Sequence, residues 1–445
     1  MKKNLVIVIA FLMLLISCKP KLNEADSNAG DLDVSKFISI GGSSAAGYSN
    51  DALSFDGQEN SFNAIIAVQL EKVGASGYSQ PFMSSGSVGI NFDGLSSLLL
   101  GYKTDCKGIT ALSPVRKASQ GDVNALTNNI FSSPFRNMGV PNLKSTELSL
   151  TGYGNPANGA GNYNPFFARM CSDQTSGSVL GDVSTQQATV FTLFLGIDEV
   201  LAYAKKGAST GNLTPVNGAA GIGFDGSYDQ LLVSLTQNGA KGALATIPDV
   251  TELPYFTTIP YDGLNLDAES AESMNQIYNP IGLFFNVGVN PFVILDPDAG
   301  SFGVRKMEPG ERILLSVPLD SVKCNKMGSV FPFRNEFILT ATEISEIQSF
   351  TSQYNSIITT KAAEKGLAIA DAKSFYSKLK TGIVYNGVAM DARFVSGGAF
   401  SLDGITLNPR GNALFANLFI EAMNKKYNAK IPYADATKYN GVIFP

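Results

Sequence analysis

The order of apolar and polar segments predicts an α/β protein in which helices alternate with the buried strands of a parallel sheet. Residues 190–195 form a continuous apolar run that stops at Gly196, as is typical of a strand buried on both faces. An amphipathic segment, 227–238, precedes a second apolar run, 242–247, which Pro248 ends. This alternation of helices and buried strands is the pattern of a doubly wound α/β layer.

The first half of the chain adds one more strand and two more helices. A β-prone run at 36–40 closes at Gly41 and is followed, after a turn, by an apolar-periodic segment at 61–73. This order predicts strand, loop and helix. Residues 198–206 then have helical character and stop at Gly207.

The C-terminal part continues the same alternation. Residues 340–343 have the form of a capping box, and apolar periodicity predicts a helix from there to about Gly366. Residues 367–370 are expected to form the last parallel strand. Asn408 and Pro409 supply an N-cap and a first-turn proline for a closing helix with an apolar stripe.

Two long segments do not follow this alternation of helices and strands. Residues 74–186 are dominated by glycine, serine and asparagine, and residues 255–335 alternate prolines, aromatics and short β-like runs. We interpret them as insertions into a single domain, 36–445, on the loop edge of the sheet. Because ligand-binding groups of such sheets come from the loops after the strands, the insertions are expected to shape any site.

The N-terminus has the form of an export signal. Lys2 and Lys3 precede an apolar run at 5–16 that is too short for a permanent bilayer span, which predicts a cleaved signal peptide over 1–17. The residues before Cys18 resemble a bacterial lipobox, which implies that Cys18 is acylated and anchors a lipoprotein. The alternative is an ordinary secretory signal with a chance cysteine.

Residues 18–35 are polar and lack periodicity, so they predict a lipidated tether ahead of the domain. Lys19, rather than aspartate, follows the cysteine. By resemblance to other lipoproteins this implies sorting to the outer membrane, on either its periplasmic or its outer face.

The composition excludes some functions. With 33 basic and 38 acidic residues, a net charge of −5 and no basic run beyond pairs, the chain is not expected to bind nucleic acid. It has no histidine and no Cys-x-x-Cys, so neither a metal nor a cofactor is expected. Cys106, Cys171 and Cys324 allow one disulfide and one thiol, with the pairing open.

Four short motifs lie at the ends of predicted strands or before the last helix. They are Ser43 within 41–48, Gly139 within 137–141, Asp198 within 195–201, and Asp403 with Thr406 within 401–411. In this order they resemble the sequence blocks of the SGNH, or GDSL, hydrolases, and nearly everything after residue 35 is similar to the large lipid-anchored bacterial branch of that superfamily. The resemblance implies a flavodoxin-like three-layer α/β/α sandwich.

The resemblance also implies roles for these positions. Ser43 stands in the slot of the nucleophile, Gly139 and Asp198 in those of the oxyanion hole, and Asp403 and Thr406 in those of the acid–base pair. The chain departs from the family because Thr406 replaces the histidine base, Asp198 an amide donor, and Gly42 the aspartate before the nucleophile. A threonine hydroxyl does not take up a proton near neutral pH, and a carboxylate repels a developing oxyanion. None of the five slots is therefore expected to support catalysis.

These departures predict a non-catalytic lipoprotein that acts as a binding or accessory subunit of an envelope complex, in particular a β-barrel assembly or transport complex. One alternative is a slow or unconventional serine esterase or deacylase that acts on envelope lipids or glycans, which needs a lysine or carboxylate from the insertions close to Ser43. Another is a carbohydrate- or lipid-binding module. In a purely structural role, Ser43 is a small residue in a tight turn and Asp403 caps the loop before the last helix.

Overall fold

The computed structural model of the protein describes residues 26–445. The predicted signal peptide and Cys18 lie outside the described residues. None of the helices within 26–445 is long and apolar enough to cross a membrane.

The strands are short, and most pair with a neighbour close in sequence. They are β1 Phe37–Gly41, β2 Tyr48–Ser49, β3 Ala52–Leu53, β4 Leu98–Thr104, β5 Thr110–Arg116, β6 Asn137–Gly139, β7 Val190–Phe194, β8 Lys241–Ala245, β9 Leu264–Leu266, β10 Gly288–Asn290, β11 Val293–Leu295, β12 Val304–Lys306, β13 Arg312–Ile313, β14 Ile338–Leu339, β15 Ala368–Ala370, β16 Ile383–Tyr385 and β17 Val388–Met390.

The helices range from single turns to one of 24 residues. They are α1 Ser43–Ala46, α2 Phe55–Glu59, α3 Phe62–Glu71, α4 Pro165–Ala168, α5 Val179–Ser184, α6 Ile197–Ala204, α7 Phe224–Thr236, α8 Pro254–Thr257, α9 Ala268–Tyr278, α10 Leu319–Cys324, α11 Ala341–Glu364, α12 Ala372–Thr381 and α13 Pro409–Lys426. The predicted capping box is present at the start of α11, where Thr340 and Glu343 bond each other's backbone N–H groups.

A five-stranded parallel sheet organises the protein. Its order is β15-β8-β7-β1-β6. Counted in chain order, the strands therefore lie 2-1-3-4-5 across the sheet, which is the order of flavodoxin-like doubly wound folds. The predicted α/β class is confirmed.

Helices cover the sheet in two groups. The connection from β1 to β6, which contains α3, runs to one side of β1, whereas the connections through α6, α7 and α11 run to the other. Because such crossovers are right-handed, the two groups lie on opposite faces of the sheet. On the α3 side, Phe62 and Phe415 of α13 pack their rings around Phe194 of β7. On the other side, Phe224 of α7 stacks on Tyr354 of α11.

The end of the predicted tether differs from the structure. Residues 26–35 were expected to be free of the domain, yet Leu32 and Val34 are buried in the main core. The Asp31 N–H donates to the carbonyl of Tyr427, and the Lys430 N–H donates to the carbonyl of Asn28. Two apolar side chains spaced by one residue are enough to hold this polar segment against the end of α13, so any tether ends before it.

The predicted insertions also need a correction. The segment 74–186 contains β6, which pairs with β1 and forms an edge of the central sheet. It is therefore two insertions that flank a strand of the sheet. The segment 255–335 contributes no strand to the central sheet in the described chain and forms two-stranded sheets of its own, including β9–β10 and β11–β12. A disulfide between Cys106 and Cys324 joins it to the hairpin β4–β5, while Cys171 is a buried thiol.

Candidate functional site

Two of the predicted site residues meet at the carboxyl ends of neighbouring strands. Ser43 opens α1 directly after β1, and Asp198 lies in the first turn of α6, directly after β7. β1 and β7 pair along their whole length, which brings the two loops together. This is the edge at which doubly wound sheets hold their ligands.

Ser43 and Asp198 are joined by two hydrogen bonds. The Ser43 hydroxyl donates to Oδ1 of Asp198 at 2.6 Å, and the Ser43 N–H donates to Oδ2 at 3.0 Å. The Asn142 N–H donates to Ser43 Oγ at 2.9 Å. The serine hydroxyl is thus held between a carboxylate and a backbone donor.

Asp198 is a buried acid with an altered pKa. Its side chain is fully enclosed, and burial raises its pKa to about 6 although the two donors of Ser43 act in the opposite direction. The next residue, Glu199, is also buried, and burial raises its pKa to about 7 against a backbone hydrogen bond from Ser145. Two neighbouring acids at the start of α6 therefore have pKa values of about 6 and about 7.

Gly42 makes room for the Asp198 carboxylate. A Cβ at position 42 would lie 1.7 Å from Oδ2 of Asp198. This is far inside the contact distance of two heavy atoms, and the obstacle is a buried carboxylate that two hydrogen bonds hold in place. The two departures from the hydrolase pattern, at 42 and at 198, are therefore sterically coupled.

Gly139 does not reach Ser43. Its N–H donates to Oδ1 of Asn137 at 2.8 Å, and a Cβ there would lie 2.3 Å from the N atom of Ala46 in α1. Gly139 is accordingly required for the close approach of β6 to α1. The donor that contacts Ser43 is Asn142, three residues later, which sequence reasoning missed. A signal existed, because asparagine tolerates the left-handed conformation that Asn142 adopts, with φ of 59°.

Asp403 and Thr406 form a separate, local network. Oδ1 of Asp403 accepts the N–H groups of Ile405 and Thr406, each at 2.8 Å, and Oδ2 accepts the Thr406 hydroxyl at 2.6 Å. Oδ2 also accepts the Asp51 N–H at 3.1 Å. Neither residue hydrogen-bonds Ser43 within 26–445. Their observed contacts are those of a loop cap before α13.

The chemistry available at Ser43 follows from these contacts. A carboxylate lies within proton-transfer distance of the hydroxyl, as a general base must. The backbone N–H groups of Ser43, Gly139 and Asn142 already donate within the protein, so none of the three is free to stabilise an oxyanion. The site thus has an acceptor for the proton, while three of its backbone donors are already engaged and the Asn142 side chain lies beside the hydroxyl, with its Oδ1 3.4 Å from Ser43 Oγ.

Comparison with protein-family models and with curated proteins gives no match to this chain. The geometry of the site and the sequence pattern therefore carry the functional argument alone. No group of three or more cysteine, aspartate or glutamate side chains suited to a metal ion is present in the described part of the chain.

Proposed function

We propose that the protein is a non-catalytic SGNH-like lipoprotein of the outer membrane, anchored through Cys18, that serves as a binding or accessory subunit of an envelope complex. The observation that carries the proposal is the position of Asp198. Its carboxylate accepts both donors of Ser43, at 2.6 and 3.0 Å, where acyl transfer needs the N–H of the nucleophile to remain free for the oxyanion.

Loss of hydrogen-bond donors, as well as loss of the base, raises the barrier to acyl transfer. Loss of one oxyanion donor costs about 3 to 4 kcal/mol in transition-state stabilisation. Here the donor is engaged by a buried carboxylate, which would also repel a substrate oxyanion when ionised. Loss of the histidine base removes a further factor of about 10⁴ to 10⁶.

Covalent labelling tests the absence of catalysis. The proposal expects no adduct of a fluorophosphonate probe with Ser43 and no hydrolysis of short-chain p-nitrophenyl esters above the rate of Ser43→Ala. Stoichiometric labelling of Ser43 at the rate of a working lipase would contradict it.

Membrane fractionation tests the anchor separately. The unchanged chain should sediment with the outer membrane and carry an acyl group, while Cys18→Ser should be released or retained as an unprocessed precursor. A detergent-solubilised outer membrane from which the lipoprotein is purified alone would count against the accessory-subunit role.

One observation favours a second candidate, a slow serine esterase that uses a Ser43–Asp198 dyad. Asp198 lies 2.6 Å from the hydroxyl, and burial raises its pKa to about 6, close to the working range of a general base. This candidate expects a low esterase rate that both Ser43→Ala and Asp198→Asn abolish. Loss of the rate in Ser43→Ala but not in Asp198→Asn would exclude the dyad.

A further inference from the structure

The hairpin β4–β5 presents an uncharged face and an open strand edge. Its antiparallel register pairs Tyr102 with Leu112 and Thr104 with Thr110, and the two threonine hydroxyls lie 2.8 Å apart. Cross-strand partners and alternate residues share a face. Beyond its base this face therefore carries six side chains without charge, and they are Leu100, Tyr102, Thr104, Thr110, Leu112 and Pro114. At the base it also carries Arg116, whose guanidinium is paired with the Asp51 carboxylate.

The opposite face of the hairpin is fixed to the rest of the protein. Lys103 pairs with Asp320 at 3.2 Å, and Lys323 pairs with Asp105 at 3.0 Å. The disulfide from Cys106 to the end of α10 adds a covalent link at the same place. Ionic and covalent contacts thus hold the hairpin on α10 and leave the uncharged face turned away from it.

The uncharged face is exposed toward the turn. Tyr102 is 68% and Leu112 43% accessible, and Ile109 in the turn is 61% accessible. Leu100, close to the base, is buried. Of the three exposed side chains, Tyr102 and Leu112 stand in solvent on the uncharged face, whereas Ile109 stands opposite Asp105 and belongs to the other face.

Hydrogen bonding distinguishes the two edges of the hairpin. The Asp105 N–H donates to the carbonyl of Ile109, so this pair is of the hydrogen-bonded type. By alternation, the N–H groups of Tyr102 and Thr104 point outward from β4, and no bond to them is found within 26–445 apart from the hairpin ladder. On β5 the N–H groups of Thr110 and Leu112 also point outward, but Pro114, which has no N–H, interrupts the row, so β4 offers the longer continuous edge to another strand.

The start of the described chain bears on what can meet this edge. Residues 28–34 pack beside Lys241, where β8 begins, whereas the hairpin leaves the body beside Asn50, beyond the carboxyl end of β1. The two points lie at opposite edges of the sheet. If Cys18 carries the anchor, as the proposed function holds, the eight residues to position 26 span at most about 28 Å and join the domain at the end of the strands opposite to the hairpin.

We propose that β4 binds an extended, uncharged segment of a protein partner as a third strand, with Tyr102 packing against its side chains and Leu112 supporting Tyr102 on the same face. The outward N–H and C=O groups supply affinity, as in other cases of strand addition, and the uncharged face selects against charged segments. This deepens the proposed accessory role, on which it rests, by assigning the surface and the type of partner segment.

Photo-crosslinking in cells that make the full chain tests the surface. The cross-linker p-benzoylphenylalanine replaces Tyr102, and as a control it replaces Val384 on the hairpin β16–β17, which is 74% accessible. The expected result is one protein adduct of constant mass from position 102 and none of that mass from 384. Lipid adducts alone, no adduct, equal adducts at both positions, or an adduct of two copies of this chain would each overturn the proposal.

A matched pair of proline variants tests the edge. Thr104→Pro removes the outward N–H of β4, and Thr110→Pro removes the corresponding group on β5, while both lose the same hydroxyl contact. We expect Thr104→Pro to lower the adduct yield about fivefold and Thr110→Pro to leave it unchanged. Equal losses in two folded variants would refute addition at β4.

A second pair keeps the test valid if a proline variant unfolds. Leu112→Asp puts a charge on the uncharged face, and Ala111→Asp puts one on the opposite face, beside Lys103. Only the first should reduce the adduct, by about tenfold or more. Because fluorophosphonate labelling and membrane fractionation do not depend on the hairpin, the failure of this inference and that of the proposed function can be told apart.

Discussion

Replacing Asp198 by asparagine should change how the stability of the protein depends on pH. Asp198 is enclosed at the start of α6, and burial raises its pKa from 3.8 to about 6. The free energy of unfolding therefore includes a cost of ionising this group inside the protein. Asparagine has nearly the same shape and does not titrate, so the substitution removes the pH-dependent part of that cost, although its amide N–H₂ replaces one of the two oxygens that accept hydrogen bonds from Ser43.

The sign and size of this pH effect follow from the linkage between proton binding and folding. Between pH 3.8 and about 6 the folded state holds the Asp198 proton while the unfolded state releases it, so unfolding becomes more favourable as pH rises. A difference of about two units corresponds to about 3 kcal/mol. Most of this loss of stability should occur between pH 4 and pH 7, and Asp198→Asn should lack it. The variant retains the similar contribution of Glu199, whose pKa burial raises to about 7.

Urea unfolding followed by circular dichroism, with the disulfide intact, gives the required free energies of unfolding at several pH values. Circular dichroism is used because the chain has no tryptophan whose fluorescence could follow unfolding. Asp173→Asn is a control for which the expected change of stability with pH has the opposite sign. Hydrogen bonds from Ser176 and Thr175 lower the pKa of Asp173, so its contribution is present at neutral pH and is lost in acid. A pH profile of Asp198→Asn that runs parallel to that of the unchanged protein would refute the reasoning.

Three further results are expected. Gly42→Ala should lower the free energy of unfolding by about 1 to 3 kcal/mol, since its Cβ meets the Asp198 carboxylate. Adding Asp198→Ala to this variant should restore much of the lost free energy. If the shifts in urea midpoint of the two single variants simply add in the double variant, the contact is refuted. Replacing Cys106 and Cys324 by serine should cost about 2 to 5 kcal/mol, measured as the difference in unfolding free energy from the oxidised protein. Thr406→His should not create esterase activity, because its position does not contact the serine; turnover of a p-nitrophenyl ester by this variant would contradict the assignment.

Local sequence signals were sufficient for the elements that depend on local interactions. The apolar run at 190–195 coincides with β7, and the capping residues Thr340 and Asn408 stand where α11 and α13 begin. The helix predicted from 227 starts three residues earlier, at Phe224. Periodicity and capping are set by neighbouring residues, which is why they can be seen without the fold.

The features that the sequence did not reveal depend on distant residues. β6 has three residues and becomes a strand because it pairs with β1, about a hundred positions earlier. The disulfide partner of Cys106 is 218 residues away. At the site, the motif order placed Ser43 and Asp198 together, but the direct contact of their side chains and the donor at Asn142 are settled by packing of separate loops.

The long span of the disulfide has a consequence for biosynthesis. Cys171 is 65 residues from Cys106 along the chain and Cys324 is 218, so in an unfolded, exported chain loop closure favours the incorrect pair. In the folded protein Cys171 is buried within the main core beside Phe167 and Met170, out of reach of oxidants. The interval between Cys106 and Cys324 includes three of the five central strands, and burial of Cys171 in the core leaves Cys106 and Cys324 as the accessible pair for the cross-link in the folded protein.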